Sequence, residues 1–199
     1  MDDMECWNGE AVGVEGCRQC SALVDARTQI VNGVGPTDAD LLFVGEAPGA
    51  NEDEAGDPFV GRSGDVLDDG LRAAGLSRSN VRITNCVRCR PPDNRDPTAA
   101  ERDNCAGYLD REVVTVDPRL VVALGKVPAE RLLDRTVGIT TEAGTVAKTG
   151  FGGTDRPVLL SVHPAATLYD PSHQDRLEAT LQTAADYVGD GGQSTLGQF

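Results

Sequence analysis

A chain of 199 residues with 39% hydrophobic content is the size of one domain and carries enough apolar material for a single core. Its formal net charge of -14 weighs against a partner held by nonspecific phosphate contacts, because Lys and Arg supply most of that affinity. No apolar run approaches membrane-spanning length, and the acidic start Met1-Asp2-Asp3-Met4-Glu5 is unlike a secretory signal, so a cytoplasmic protein is expected.

The first element in chain order is the apolar run Leu41 to Val44, which ends in Gly45-Glu46-Ala47-Pro48-Gly49. That pattern predicts a buried strand delivering a turn, with one carboxylate in it, to the edge of a sheet. Asp65 to Ala74 then places Val66, Leu67, Leu71 and Ala74 at helical spacing. Val81 to Thr84 reads as a second strand, and Thr98 to Val114, after a Pro-Thr start, as a long helix. Leu120 to Leu124 is the third strand, Pro128 to Leu133 opens another helix, and Val158 to Val162 is the fourth strand. Asp175 to Val188 is the last helix, before the run Gly189 to Gly192.

Strand and helix alternate, which predicts an α/β fold: three layers, α/β/α, around a central, mostly parallel four-stranded sheet. No internal repeat is visible. One domain over residues 1–188 and a flexible tail over 189–199 are expected. Polar residues stand just beyond three of the four apolar runs: Glu46 after the first, Asn85 after the second and His163 after the fourth. Ligand sites of open parallel sheets form along that edge, so three residues far apart in sequence are expected to meet in one crevice.

Six cysteines in a chain expected to be cytoplasmic point to metal or redox use and not to disulfides. Two C-x-x-C pairs, Cys17/Cys20 and Cys86/Cys89, suggest zinc when taken alone, but they lie much further apart than the halves of a zinc ribbon.

From Gly45 to Gly61, including Asp57-Pro58-Phe59-Val60-Gly61-Arg62, the chain resembles the first motif of the family 4 uracil-DNA glycosylases, DNA-repair enzymes with an iron-sulfur cluster. The likeness continues through Ile83-Thr84-Asn85-Cys86-Val87-Arg88-Cys89-Arg90-Pro91-Pro92, Asn94-Arg95-Asp96-Pro97-Thr98, Ala123-Leu124-Gly125-Lys126 and Val162-His163-Pro164-Ala165, in family order. The resemblance implies excision of uracil from single- or double-stranded DNA by a monomer. It also implies a role for each matched residue. Asn85 reads uracil O4 and N3 through an amide that both donates and accepts. Phe59 stacks on the base, and His163 donates to O2 as charge develops there. Glu46 orients or activates water, or stabilises the oxocarbenium-like sugar, and the sequence leaves these alternatives open. The backbone amides of Gly45 and Ala47 are expected beside the base.

The same resemblance assigns a [4Fe-4S] cluster to Cys17, Cys20, Cys89 and Cys105, leaving Cys86 as a buried thiol and Cys6 as peripheral. Where the family continues after His163-Pro164-Ala165 with an aromatic, two leucines and an arginine, this chain has Ala166-Thr167-Leu168-Tyr169. Leu168 is the expected apolar wedge into the duplex, and the phosphate contact of the arginine is lost. Arg62, Arg88, Arg90 and Arg95 remain as a candidate basic patch.

Lys occurs only at 126 and 148 amid abundant Asp, a balance that looks like the acidic surface of proteins from salt-loving organisms, where screening shortens the repulsion from DNA. Gln193, Leu196 and Phe199 have the spacing of the peptide with which repair enzymes dock on the DNA sliding clamp. Two rival readings accompany this one: a non-catalytic iron-sulfur or zinc protein binding nucleic acid, and a glycosylase acting on a broader range of deaminated bases.

Overall fold

A computed structural model describes residues 12–150 and 155–189. Cys6 and the residues Gln193, Leu196 and Phe199 lie outside the described residues. All four expected strands form: β1 (Leu41–Gly45), β2 (Arg82–Asn85), β3 (Leu120–Leu124) and, after one more strand, β5 (Arg156–Ser161). The additional strand is β4 (Val146–Thr149), so the sheet has five strands and not the expected four, in the order β2-β1-β3-β5-β4. The pairs β1/β2, β1/β3 and β3/β5 are parallel, whereas β4 closes the edge antiparallel to β5. β4 escaped the sequence reading because Val-Ala-Lys-Thr is an edge strand without a fully buried position, so it carries no continuous apolar signal.

Every residue of β1 and β3 is buried, as expected of parallel strands covered on both faces. Their side chains alternate between two cores. Leu41 and Phe43 pack with Leu67 and Leu71 of helix α3 (Arg62–Ala73) and with Leu177 and Leu181 of helix α7 (Gln174–Gly189). Leu42 and Val44 pack with Leu109 and Val113 of α4 (Ala99–Val116) and Leu132 of α5 (Lys126–Leu133). This is the three-layer arrangement expected. Short helices α1 (Ser21–Ala26), α2 (Ala50–Ala55) and α6 (Ile139–Glu142) complete the described α-helices.

Helix α4 starts where the Pro-Thr signal places it, because Thr98 accepts the Glu101 N–H while the Glu101 carboxylate accepts the Thr98 N–H. Deeper in α4, Glu112 is fully buried between two guanidinium groups: Arg82 Nε at 2.8 Å and Arg88 Nη2. Burial alone would raise its pKa, yet Arg88 and Arg82 hold the carboxyl below the usual glutamate range. Arg82 also donates to the Gly35 carbonyl at 2.6 Å, so this buried triad ties the segment before β1 to the sheet and to α4. Arg88 is thereby withdrawn from the surface patch expected of it.

Candidate functional site

The carboxyl ends of β1, β2 and β5 open into one cleft of about 480 Å³. Glu46, Ala47, Phe59, Asn85 and His163 all line it, together with Ser63, Asn94, Arg95, Asp96 and Tyr169. Convergence follows from register. Gly45 pairs with Asn85 across β1 and β2, so the residue after one strand and the last residue of the other reach the same edge. Two hydrogen bonds extend that pairing beyond the strands, from Cys86 N–H to the Gly45 carbonyl and from Val87 N–H to the Glu46 carbonyl, both at 2.9 Å. The backbone carrying Glu46 is thus fixed by the segment that leads to Cys89.

Gly45 itself stands behind the cleft wall. A Cβ there would lie 2.4 Å from Asn85 Oδ1 and 2.5 Å from Phe59 Cζ, so only glycine lets the amide and the ring approach each other. Asn85 is 3% exposed and lines the cleft, where among the described residues its amide makes no hydrogen bond to the protein. An amide that opens on a cleft without a protein partner is placed to pair with a ligand there.

Phe59 is held in an uncommon backbone conformation, φ 54°, that a bulky side chain adopts only when its surroundings impose it. Arg78 imposes it: Nη1 donates to the Pro58 carbonyl at 3.0 Å, Nη2 donates to the Phe59 carbonyl, and Nε pairs with Asp68 at 2.6 Å. Gly64 permits the approach, since a Cβ there would lie 1.8 Å from the same Phe59 carbonyl oxygen. The Phe59 ring stacks against the His163 imidazole with centroids 5.6 Å apart and planes inclined at 28°. No local motif announces Arg78, because it lies far from Phe59 along the chain.

His163 follows β5, and Gly125, at φ 110°, packs behind it. The Ala165 N–H donates to His163 Nδ1 at 3.1 Å, which requires a lone pair on Nδ1 and leaves the proton on Nε2. Desolvation by burial lowers the imidazole pKa to about 4, so the ring is neutral and presents an Nε2–H donor at neutral pH. Glu46 is shifted the other way. Burial first, and then the negative charge of Asp96, push its carboxyl above the usual glutamate range, with Arg102 offsetting part of the shift. Asp96 reaches the cleft because Arg95 grips Glu101 with two nitrogens, at 2.8 and 2.7 Å, and pins its loop to the start of α4.

The cysteines separate into two groups. Cys17, Cys20, Cys89 and Cys105 line one small cavity with Arg27, Asn104 and Tyr108. Arg27 Nη1 donates to Cys89 Sγ at 2.8 Å and Nη2 to the Cys17 carbonyl at 2.6 Å, while Asn104 Nδ2 donates to Cys20 Sγ at 3.4 Å. Among the described residues no three His, Cys, Asp or Glu side chains converge on a single-ion site. Cys86 packs in the core between the sheet, α4 and α5, where burial pushes its thiol up to about 12. Ala47 packs against the cysteine layer and also lines the cleft, so the two sites share a wall.

Leu168, the expected wedge, is half-buried and does not line the cleft; its neighbour Tyr169 does and is exposed. Of the expected basic patch, Arg95 is engaged with Glu101, and Arg90 Nε donates to Asn94 Oδ1 at 2.7 Å.

The model of the Uracil DNA glycosylase superfamily matches residues 32–186. A Type-4 uracil-DNA glycosylase of Archaeoglobus fulgidus is 37% identical over 180 residues, covering 88% of this chain and 90% of that protein. The Type-4 enzyme of Sulfurisphaera tokodaii is 38% identical over 89% of this chain and 81% of its own length. A Type-5 uracil-DNA glycosylase of Thermus thermophilus is 34% identical over 59% of this chain and 67% of its own.

Proposed function

The chain belongs to the uracil DNA glycosylase superfamily, and from that premise we propose that it excises uracil from DNA by hydrolysing the N-glycosidic bond, leaving an abasic site. The observation that carries the reading at residue level is the Asn85 amide, which opens on the cleft, in company with a neutral His163 whose Nε2–H is free of backbone. Uracil extruded from the helix presents an acceptor O4 beside a donor N3–H, and one amide satisfies both. Cytosine presents the reverse pattern at the exocyclic position and would leave the amide unpaired.

Phe59 stacks on the base, and its contact with His163 fixes the imidazole beside the base edge. As the glycosidic bond breaks, its electron pair moves to the base, and the His163 Nε2–H stabilises the charge that collects on O2. The Glu46 carboxylate serves the other fragment, either by orienting the attacking water or by opposing the positive charge of the sugar. Ala47 lines the cleft beside the base, and Gly45, expected there too, stands behind Asn85 and Phe59 and lets them close on it. Asn85, His163 and Glu46 are therefore the residues assigned to catalysis.

The chemistry of the cysteine cavity fits a [4Fe-4S] cluster held by Cys17, Cys20, Cys89 and Cys105. Such a cluster needs each thiolate on its own iron, which suits four sulfurs lining a common cavity without meeting at one point, and nitrogen donors stand on two of them. When bound it would join the N-terminal segment to the sheet behind Ala47. Zinc would need the sulfurs to converge.

The protein acts as a monomer in the cytoplasm on single- and double-stranded DNA, and its acidic, Lys-poor composition suits a cell of high internal salt. No described helix is long and apolar enough to cross a membrane. The tail 189–199 carries the clamp-docking peptide through Gln193, Leu196 and Phe199; its support is sequence spacing, and deletion of residues 193–199 is expected to abolish clamp binding without slowing excision from short oligonucleotides.

Release of free uracil from a uracil-bearing oligonucleotide tests the main reading, with Asn85→Ala expected to lose most of it while remaining folded. A panel of hypoxanthine and other deaminated bases tests the broader range. Near-normal turnover by Asn85→Ala would sink the assignment.

A further inference from the structure

We infer that Tyr169, and not Leu168, is the side chain that enters the DNA duplex and fills the space vacated by the extruded nucleotide. This rests on the uracil-excising reading of the cleft and adds to it the contact that holds the duplex open. Among the described residues only two large hydrophobic side chains are exposed, Val114 on α4 and Tyr169, and Tyr169 alone stands on the cleft rim. Its exposure is 89%, so the ring contributes almost nothing to the fold.

The backbone beneath the ring is held firmly. His163 caps a 3-10 turn over Pro164–Leu168, the Tyr169 and Asp170 N–H groups both donate to the Ala166 carbonyl, at 3.2 and 2.9 Å, and Asp170 Oδ1 accepts the Ser172 N–H at 2.9 Å. Thr167, buried, donates to the Pro164 carbonyl at 2.9 Å and anchors the turn from inside. A rigid turn that begins at the base-binding His163 therefore ends in an unsupported aromatic ring. Such a ring gains by stacking on base faces, which is tolerant of sequence. The residue that follows it is Asp170, which repels phosphate, so the contact here is apolar and not electrostatic. In a protein of net charge -14 that distinction matters, because a stacked ring keeps its strength when salt screens the phosphates.

The experiment compares wild type, Tyr169→Ala, Tyr169→Phe and Leu168→Ala in single-turnover excision from a duplex and from the matching single strand. A 2-aminopurine beside the uracil reports base extrusion by fluorescence. Tyr169→Ala is expected to weaken duplex extrusion and excision about tenfold, the value of one lost stacking contact, with excision from the single strand unchanged. Tyr169→Phe keeps the ring and should restore the duplex rate, and Leu168→Ala should leave it within about twofold of wild type, below the loss of one stacked ring. The slope of log affinity against log salt should be the same for Tyr169→Ala as for wild type, since no phosphate contact is removed.

Equal duplex rates for Tyr169→Ala and wild type would overturn the inference while wild-type uracil release leaves the reading of the reaction standing. An equal loss on both substrates would overturn it too, by making Tyr169 part of the base pocket. A wild-type protein that releases no uracil from either substrate would overturn both.

Discussion

Gly45→Ala isolates the packing on which the cleft depends. The strand residue has no left-handed φ, so alanine meets no backbone strain there, and the whole effect comes from the added methyl. That methyl would sit 2.4 Å from Asn85 Oδ1 and 2.5 and 2.6 Å from two atoms of the Phe59 ring. Ordinary van der Waals contact requires about 3.5 Å, so the amide or the ring must retreat by about 1 Å. Phe59 cannot retreat as a unit, because Arg78 holds its carbonyl and Gly64 lies against it. Overpacking of this kind costs about 1–3 kcal/mol of stability, part of which the lower chain entropy of alanine returns. A misplacement of about 1 Å in a catalytic group costs about 100-fold in rate. Single-turnover uracil release is therefore expected to fall about 100-fold while the melting temperature falls by only a few degrees, in about the range of 1 kcal/mol. The assay is rapid-quench excision from a single-stranded oligonucleotide beside a thermal melt. A rate within twofold of wild type would refute the packing argument, and collapse of the fold would refute the claim that the methyl acts locally.

Four further outcomes follow from the charges and thiols. Because burial and Asp96 raise the Glu46 carboxyl, the acid limb of the kcat/KM profile should lie above the ordinary glutamate value and move to lower pH in Asp96→Asn; an unmoved limb would remove Asp96 from the site's electrostatics. His163, lowered to about 4 by burial, should show no titration midpoint in imidazole NMR between pH 5 and 8. Its folded pKa lies below the unfolded 6.5, so the associated stability is complete above pH 6.5 and is lost as pH falls towards 4; His163→Gln should flatten that slope. Glu112→Ala strands two buried guanidinium groups and should cost about 3–5 kcal/mol in denaturant melts, against which a loss below 1 kcal/mol would deny the triad a role. Anaerobically prepared protein should be brown with iron and sulfide in equal amounts. Cys105→Ser should bleach it and Cys86→Ser should not, and colourless protein with one zinc per chain would reverse the assignment.

The sequence by itself was enough for the four central strands, the long helices and the edge at which chemistry gathers. Parallel strands buried on both faces are continuous apolar runs, and Leu41 to Val44 or Leu120 to Leu124 advertise themselves without tertiary information. Glu46, Asn85 and His163 were legible for the same reason, each lying just beyond such a run, whereas it was the family resemblance that set Cys105 apart from Cys86. Tertiary structure alone decided what depends on partners distant along the chain. The half-exposed β4 is recruited by the edge of β5 and has no apolar pattern of its own. Arg88 is read from sequence as a surface cation, yet Glu112, a helix away, draws it into the core. Arg78 sets the backbone of Phe59, and Arg95 brings Asp96 beside Glu46, through hydrogen bonds between groups that no local motif contains. Leu168 and Tyr169 are adjacent and both apolar enough to serve as a wedge. Only the direction of the turn after His163, set by Thr167 packing inward, determines that the second of them faces outward at the rim. Local sequence fixes which residue types and periodicities occur, whereas the sign of a side chain's exposure and the pKa of a charge are properties of the neighbours that folding supplies.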